Sequence, residues 1–295
     1  MLKNKLVITI LSTLFLFSMC DFANGATELE RKALSEGDAE AQYQLGRKFY
    51  LGEGYPSDFL QAQMFFNFAA NQNHPKALFF LAIMSMEGQG IKKDNKQAIK
   101  FMERSAQRGF SLAQSTLGGY YLEGSIVPKN INMAKKLLEV SYKNDGNAMA
   151  CSLLAMMHEK GEGYKQDFQK AAKYYEEGAL AGDSHCQYAI GIKYLIGQGV
   201  DQNLDKAMEW LKLASDNGNN EATMEVGCCY GKKEDYQNAI SWFENAAKQG
   251  NAKAKYYLGL YYLEGLGVDS NEQTAKYWFN EALKSGDKRA LKFLK

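Results

Sequence analysis

Gly161-Glu162-Gly163 opens a stretch that continues in helical residues, and a glycine-rich turn feeding a helix can cradle a phosphate on free backbone N–H groups. The same Gly-x-Gly occurs at Gly52/Gly54, Gly88/Gly90, Gly197/Gly199 and Gly265/Gly267, so its first glycines fall 36, 73, 36 and 68 residues apart. The step of 73 spans two repeats, the middle one reading Gly124-Ser125-Ile126, and the step of 68 contains a shortened repeat. A phosphate loop is used once per site and needs a closing Lys-Ser/Thr pair or a preceding buried strand. None of the five has either. A turn stamped out at a fixed period is scaffold geometry.

The other chemistry-bearing residues are as sparse. The histidines are His74, His158 and His185, and none pairs with Cys, Asp or Glu at ligand spacing, which speaks against a metal site. Ser285-Gly286-Asp287-Lys288 is a Ser-x-x-Lys, but it sits where an inter-repeat glycine recurs, whereas serine acylation needs that pair on a helix inside a shaped pocket. Glu176-Glu177 reads as a solvated helix face. Cys151, Cys186, Cys228 and Cys229 follow no repeating spacing and read as small buried hydrophobes. Adjacent cysteines rarely bridge to each other, which leaves room for one incidental disulfide and none for a framework. The reading is of a protein without catalytic residues, metal or cofactor.

The elements behind the turns emerge when the chain is aligned on its period. One column reads Leu45, Leu81, Leu117, Leu154, Ile190, Val226, Leu258, and the next Gly46, Ala82, Gly118, Ala155, Gly191, Gly227, Gly259. An alanine or Cys186 stands five residues before the small column, and Phe49, Ser85, Tyr121, His158, Tyr194, Tyr230 and Tyr262 three residues after it. This spacing lays one apolar stripe on a helix, here helix A, with a small residue beside it for close approach. After the turn comes Asp58, Asp94, Asn130, Asp167, Asn203, Asp235 or Asn271, each suited to accept from the first N–H groups of a helix B. Alanines and paired large residues such as Phe65/Phe66 and Trp242/Phe243 mark the buried face of helix B. Gly109, Gly146, Gly182, Gly218, Gly250 and Gly286, with Asn73 in the first unit, stand where a left-handed residue ends it.

Seven such units fill residues 38–287. The sixth is 32 residues long and lacks its Gly-x-Gly, which predicts a kink or a shortened helix A there. Residues 26–37 match the end of a helix B and form an N-terminal cap; residues 288–295 match the start of a helix A. One helical pair of about 36 residues cannot bury its apolar faces alone, and stacked neighbours can. The fold expected is all-α, an α-solenoid of seven helix-turn-helix repeats with half-repeat caps in a right-handed superhelix.

Residues 1–25 are different material. Lys3 and Lys5 precede an uncharged apolar run from Leu6 to Met19, and Ala23-Asn24-Gly25 offers small residues for cleavage before Ala26. That is the pattern of a secretory signal peptide, which directs the protein to a periplasmic or secreted location. A lipoprotein signal with Cys20 as the acylated residue is the alternative, though Met19 is bulky for it, and a retained anchor is a third. Without this segment the basic and acidic residues balance, which argues against a strong electrostatic hold on nucleic acid or anionic lipid.

The pattern Ala-x-x-x-Leu-Gly-x-x-Tyr, Gly-x-Gly, Asp/Asn-x-x-x-Ala, aromatic pair, Ala-Ala-x-x-Gly resembles the Sel-1-like repeat, a relative of the tetratricopeptide repeats. Its clearest copies are Cys186–Asn219 and Ala254–Asp287, and the resemblance covers about residues 33–295. It implies an adaptor or scaffold that binds a peptide or partner protein, in envelope assembly or at a host interface for exported members. Cysteine-rich relatives are linked to β-lactam binding or hydrolysis, which makes a β-lactam-linked hydrolase or cell-wall ligand binder the alternative. They carry a regular cysteine pair in each repeat, and this chain does not.

In tetratricopeptide-like stacks the concave surface comes from helix A positions −3, +1 and +4 relative to the small residue. By that resemblance the candidate partner-binding residues are Tyr43, Arg47, Phe79, Ile83, Met86, Met156, Ile192, Leu195, Tyr256, Leu260 and Leu263. They would form an apolar, aromatic groove with adaptable methionines. The competing reading is that a tight superhelix packs these residues against neighbouring A helices, the recurrent aromatics at −3 first among them.

Overall fold

Side chains that accept the first free N–H groups start nearly every helix of the protein. In the computed structural model, which describes residues 27–294, all regular elements are helical. α1 (Glu28–Arg31) runs on into a π-helical turn at Lys32–Glu36 and ends at Gly37. The repeats follow as helix A and helix B in alternation: α2 (Ala39–Leu51) and α3 (Phe59–Asn71), α4 (Pro75–Glu87) and α5 (Asn95–Gln107), α6 (Ser111–Glu123) and α7 (Ile131–Asp145), α8 (Ala148–Lys160) and α9 (Phe168–Leu180). Then come α10 (Ser184–Ile196) and α11 (Leu204–Asp216), α12 (Asn220–Lys232) and α13 (Tyr236–Lys248), and α14 (Ala252–Glu264) and α15 (Glu272–Lys284). All seven Asp/Asn residues before the B helices accept from a first-turn N–H, as Asp167 does from Lys170 at 2.9 Å. Each such cap is worth about 1 kcal/mol.

The chain divides into two compact units, one up to Pro128 and one from Lys129. The first holds α1–α6 and the second α7–α15. Within each, every helix packs on the one before and the one after it. The core of the first unit gathers Phe66, Ala69, Ala77, Leu78, Leu81 and Met84; the largest core of the second gathers Ala179, Ile190, Met208, Leu211, Ala214 and Val226. Glycine in the small column lets helices A and B close on each other: a Cβ at Gly227 would lie 2.7 Å from the Phe243 ring, and one at Gly259 would lie 2.5 Å from that of Phe279.

The Gly-x-Gly turns also have a packing cause. The first glycine ends helix A in the left-handed region, as Gly161 does at φ 73°. From the second repeat on, the second glycine meets the start of the preceding helix B: a Cβ at Gly90 would stand 2.5 Å from the Phe59 carbonyl oxygen, and one at Gly163 would stand 2.7 Å from Ile131 Cγ2. The backbone approaches too closely for a side chain, so the glycine is structural.

Two expectations need correction. Helix A of the sixth repeat, α12, is not shortened: it has 13 residues, like its counterparts. The missing turn of chain comes out of the connection, which shrinks to Lys233-Glu234-Asp235, with Glu234 at φ 60° in place of glycine. The helix is held by packing along its whole length, whereas the connection is free to be shortened. At the C-terminal end, Lys288–Phe293 is a 3₁₀ helix with i→i+3 bonds and not the opening of an α-helix. Its Ala290 is nonetheless fully buried, and Phe293 stacks on Phe279 with ring centroids 4.4 Å apart. Residues 1–25, read as a signal peptide, lie outside the described residues.

Candidate interaction surface on the A helices

The inward register of the A helices divides the eleven candidate residues into two groups. Tyr43, Leu195 and Tyr256 are closed into the core, with exposures of 6, 8 and 7%. Tyr43 stacks on His74 at 4.9 Å and approaches Phe66 and Phe80; Tyr256 lies beneath the Arg289 guanidinium, 4.3 Å from its ring centroid. These three serve packing. The other eight are half-buried.

In the first unit, Phe79 meets the ring of Phe110 edge-on at 5.3 Å, Arg47 pairs with Glu53 at 3.0 Å, and the Met86 sulfur accepts from the Tyr120 hydroxyl at 3.3 Å. Ile83 lies between them in register, one helical turn before Met86. In the second unit, Ile192 rests on the edge of the core around Ile190, and Leu260 and Leu263 rest on the core around Phe279. Met156 is half-buried on α8. A shallow cleft of about 270 Å³ opens between Leu195, Gln202, Leu204 and Lys232.

Polar groups interrupt this apolar register at two places in the second unit. Glu159 pairs with Lys193, whose side chain is only 8% exposed, and accepts from the Tyr175 hydroxyl at 3.1 Å; Lys193 also donates to Gln198. Glu225 on α12 is half-buried and has no ion pair within 4 Å among the described residues, and its burial raises its carboxyl pKa above the usual range. The sequence reading passed over Glu225; its signal was a lone carboxylate two residues before the small column, where Gln44, Phe80, Leu153 and Tyr257 stand in other repeats. Also missed was a recurring glutamine that ties three of the A helices back to the preceding segment: Gln42 donates to the Ala33 carbonyl, Gln114 to Ala106 and Gln187 to Ala179, at 3.0–3.2 Å.

The residues weighed for chemistry sit apart from one another. Ser285 is exposed at the end of α15 and accepts from Lys255 at 2.8 Å. His74 caps α4, its Nδ1 accepting from Ala77 at 3.2 Å while Nε2 meets Glu40 at 2.9 Å. His158 is buried, its ring stacked on Tyr164 at 4.0 Å and on Tyr174 at 5.7 Å, and its Nδ1 has no hydrogen-bond partner. Burial, helped by the nearby Lys170, holds its pKa below the ordinary histidine value. Among the described residues no three His, Cys, Asp or Glu side chains gather as a metal site would require, and no helix is long and apolar enough to cross a membrane.

Comparison with known proteins agrees with this geometry. Seven consecutive segments match the Sel1 repeat: 39–74, 75–110, 111–145, 148–183, 184–219, 220–251 and 252–287. The chain is 27% identical over 277 residues to a chitin synthase regulator of Saccharomyces cerevisiae, covering 90% of this chain and 35% of that protein. It is 26% identical over 253 residues to chitin synthase regulatory factor 3 of Schizosaccharomyces pombe, covering 82% of this chain and 27% of that one. The chain thus spans about a third of the length of these curated relatives. Among solved structures it resembles a protective antigen of uropathogenic Escherichia coli, at 29% identity and a TM-score of 0.79 over 90% of this chain and 57% of that one. It also resembles a Sel1 repeat protein from Oxalobacter formigenes, at 29% identity and a TM-score of 0.69 over 84% of this chain and 100% of that one.

Proposed function

The chain belongs to the Sel1 repeat family, and from that premise we propose that it is an exported, non-enzymatic adaptor that holds a peptide or partner protein against the inward faces of its A helices. One observation carries the reading. The same helix register that closes Leu81, Ile190 and Leu258 completely leaves Phe79, Ile83 and Met86 in the first unit, and Ile192, Leu260 and Leu263 in the second, part-way open to solvent. A run of apolar side chains left accessible at repeat spacing suits a partner that buries them, and interface energy concentrates in such central apolar anchors. That two similar fungal proteins are named as regulators of chitin synthase is in keeping with a protein-binding role. The apolar start of the chain, Leu6 to Met19, supports export.

The test places a photoreactive residue at Ile192 and, as control, at Lys173 on the exposed face of α9. A protein crosslinked from Ile192 and not from Lys173 is then purified and its affinity measured. The expected result is a loss of at least about tenfold on Ile192→Glu or Leu260→Glu with helicity unchanged, about the effect of burying one unpaired charge. Equal capture from both sites, or unchanged affinity in both variants, refutes the groove reading.

A further inference from the structure

At each junction between repeats a small residue late in helix B and one early in the next helix A occupy the same two positions. The pairs are Ala69/Ala77, Ser105/Ala113, Ser141/Ala150, Ala214/Ala222, Ala246/Ala254 and Ala282/Ala290, all fully buried. The junction after the fourth repeat departs from this: it carries Gly178 and Cys186. A Cβ on Gly178 would stand 2.6 Å from the Cys186 sulfur. The volume that a methyl group fills elsewhere is therefore taken by the sulfur, a size-conserving exchange between the two helices. A third residue borders the same point from α8. Cys151 Cβ and Cys186 Cβ each lie 3.2 Å from it, so they are at most 6.4 Å apart. The Cys186 sulfur and the Cys151 Cβ border one gap, while the Cys151 sulfur donates to the Gly146 carbonyl at 3.6 Å; α8 and α10 also touch each other directly. A disulfide asks for a Cβ···Cβ distance of about 3.5–4.5 Å, so the approach still required is at most about 2 Å.

We propose that Cys151 and Cys186 are an oxidisable pair whose disulfide staples helix A of the fourth repeat to helix A of the fifth. The missing Cβ of Gly178 is what leaves room for the Cys186 sulfur beside the Cys151 Cβ, and a χ1 rotation of Cys151 away from the Gly146 carbonyl turns its sulfur into that gap. Cys228 and Cys229 offer no equivalent: they are neighbours on one helix, and the Cys228 sulfur lies 3.5 Å from that of Met224. With glutathione disulfide as oxidant, one protein thiolate attacks a glutathione sulfur and expels the first glutathione thiolate. The other protein thiolate then attacks the protein sulfur of the mixed disulfide, forms the Cys151–Cys186 bond and expels the second. The protein gives up two protons and two electrons, and one glutathione disulfide becomes two glutathione. Burial pushes the Cys151 thiol up to about 11 and Cys186 further, so little thiolate exists in the closed fold. The bond therefore forms while the chain folds or when α9 lifts away, and once closed it is shielded from reductant.

The protein is refolded in a glutathione redox buffer, and remaining thiols are alkylated under denaturing conditions for intact mass and peptide mapping. The expected product is a Cys151–Cys186 linked peptide with Cys228 and Cys229 alkylated, a mass lower by two hydrogens, and a Tm raised on the order of 5 °C over the reduced protein. Cys186→Ala restores the residue that the other repeats carry, so it keeps the fold while abolishing the linked peptide and the Tm increment. Cys151 and Cys186 both alkylated after oxidative refolding, or a bridge drawn from Cys228 or Cys229, overturns the proposal. A second measurement separates geometry from redox conditions. Gly178→Ala displaces the Cys186 sulfur and lowers Tm, and Gly178→Ala with Cys186→Ala recovers it by rebuilding the common Ala/Ala junction. No loss of Tm on Gly178→Ala alone also sinks the proposal, because the sulfur then does not fill that gap.

Discussion

The junction of the first and second repeats and that of the fourth and fifth occupy the same register with opposite chemistry. In the former, Tyr50 stands at the inward end of helix A, and the rings of Phe66 and Phe80 stack 5.0 Å apart beside it. In the latter, Glu159 stands at the position of Tyr50 and is held by Lys193 and the Tyr175 hydroxyl. The repeat thus dictates where atoms must be and how much volume they fill, not what they are. The two solutions differ in how they fail. Apolar burial is non-directional and is lost in proportion to the volume removed. A buried ion pair is all or nothing, because removing one partner leaves the other charged and unsolvated.

The largest effect should come from the aromatic junction. Phe66 is fully buried, and Phe66→Ala should cost about 3–5 kcal/mol by chemical denaturation. A cost near 1 kcal/mol would mean that the rings collapse into the gap and that volume does not rule this junction. Next comes the polar one. Glu159→Ala leaves the buried Lys193 ammonium without its counter-charge, held by Gln198 alone, and should cost about 2–3 kcal/mol, whereas Glu159→Leu with Lys193→Met should return to within about 1 kcal/mol of the parent. If the single variant costs no more than the double, the pair behaves like a surface ion pair and the contrast between the junctions disappears.

The smallest effect concerns His158, which occupies the aromatic column that Phe49 and Tyr194 fill elsewhere. Its neighbours are Tyr164 and Tyr174, with Lys170, Asp167, Lys135 and Glu139 acting on it through space. Because its folded pKa is depressed below the ordinary histidine value of about 6.5, the unfolded chain takes up the proton first as pH falls. Stability is therefore full above about pH 6.5 and declines below it. Wild-type Tm should drop between about pH 7 and pH 5, and His158→Phe should flatten that drop. Equal slopes in the two proteins would show that the ring is solvated as readily folded as unfolded.

Much of the scaffold was legible in the sequence because its determinants act over one or two helical turns. The Asp/Asn column is read from hydrogen bonds three residues long, and every member proves to be a cap. The left-handed ends at Gly109, Gly182 and Asn73 are equally local. The sixth repeat was misjudged for the opposite reason. A deletion of four residues can fall in a helix or in its connection, and only the packing along α12 makes the connection give way. The candidate surface was legible as a register and not as a surface. Tyr43, Leu195 and Tyr256 share that register with Phe79, Ile192 and Leu260, yet rings and side chains from neighbouring helices close over the first three.

Period, helix ends, small-residue contacts and family were thus determined by the sequence alone, since each depends on the identity of residues at fixed local spacing. Which inward residues stay open, which carboxylate finds a lysine, and which two of the cysteines meet across a glycine were decided by the tertiary structure. Those outcomes depend on distances between residues some 35 positions apart, and such distances are set by how helices pack rather than by what any one helix contains.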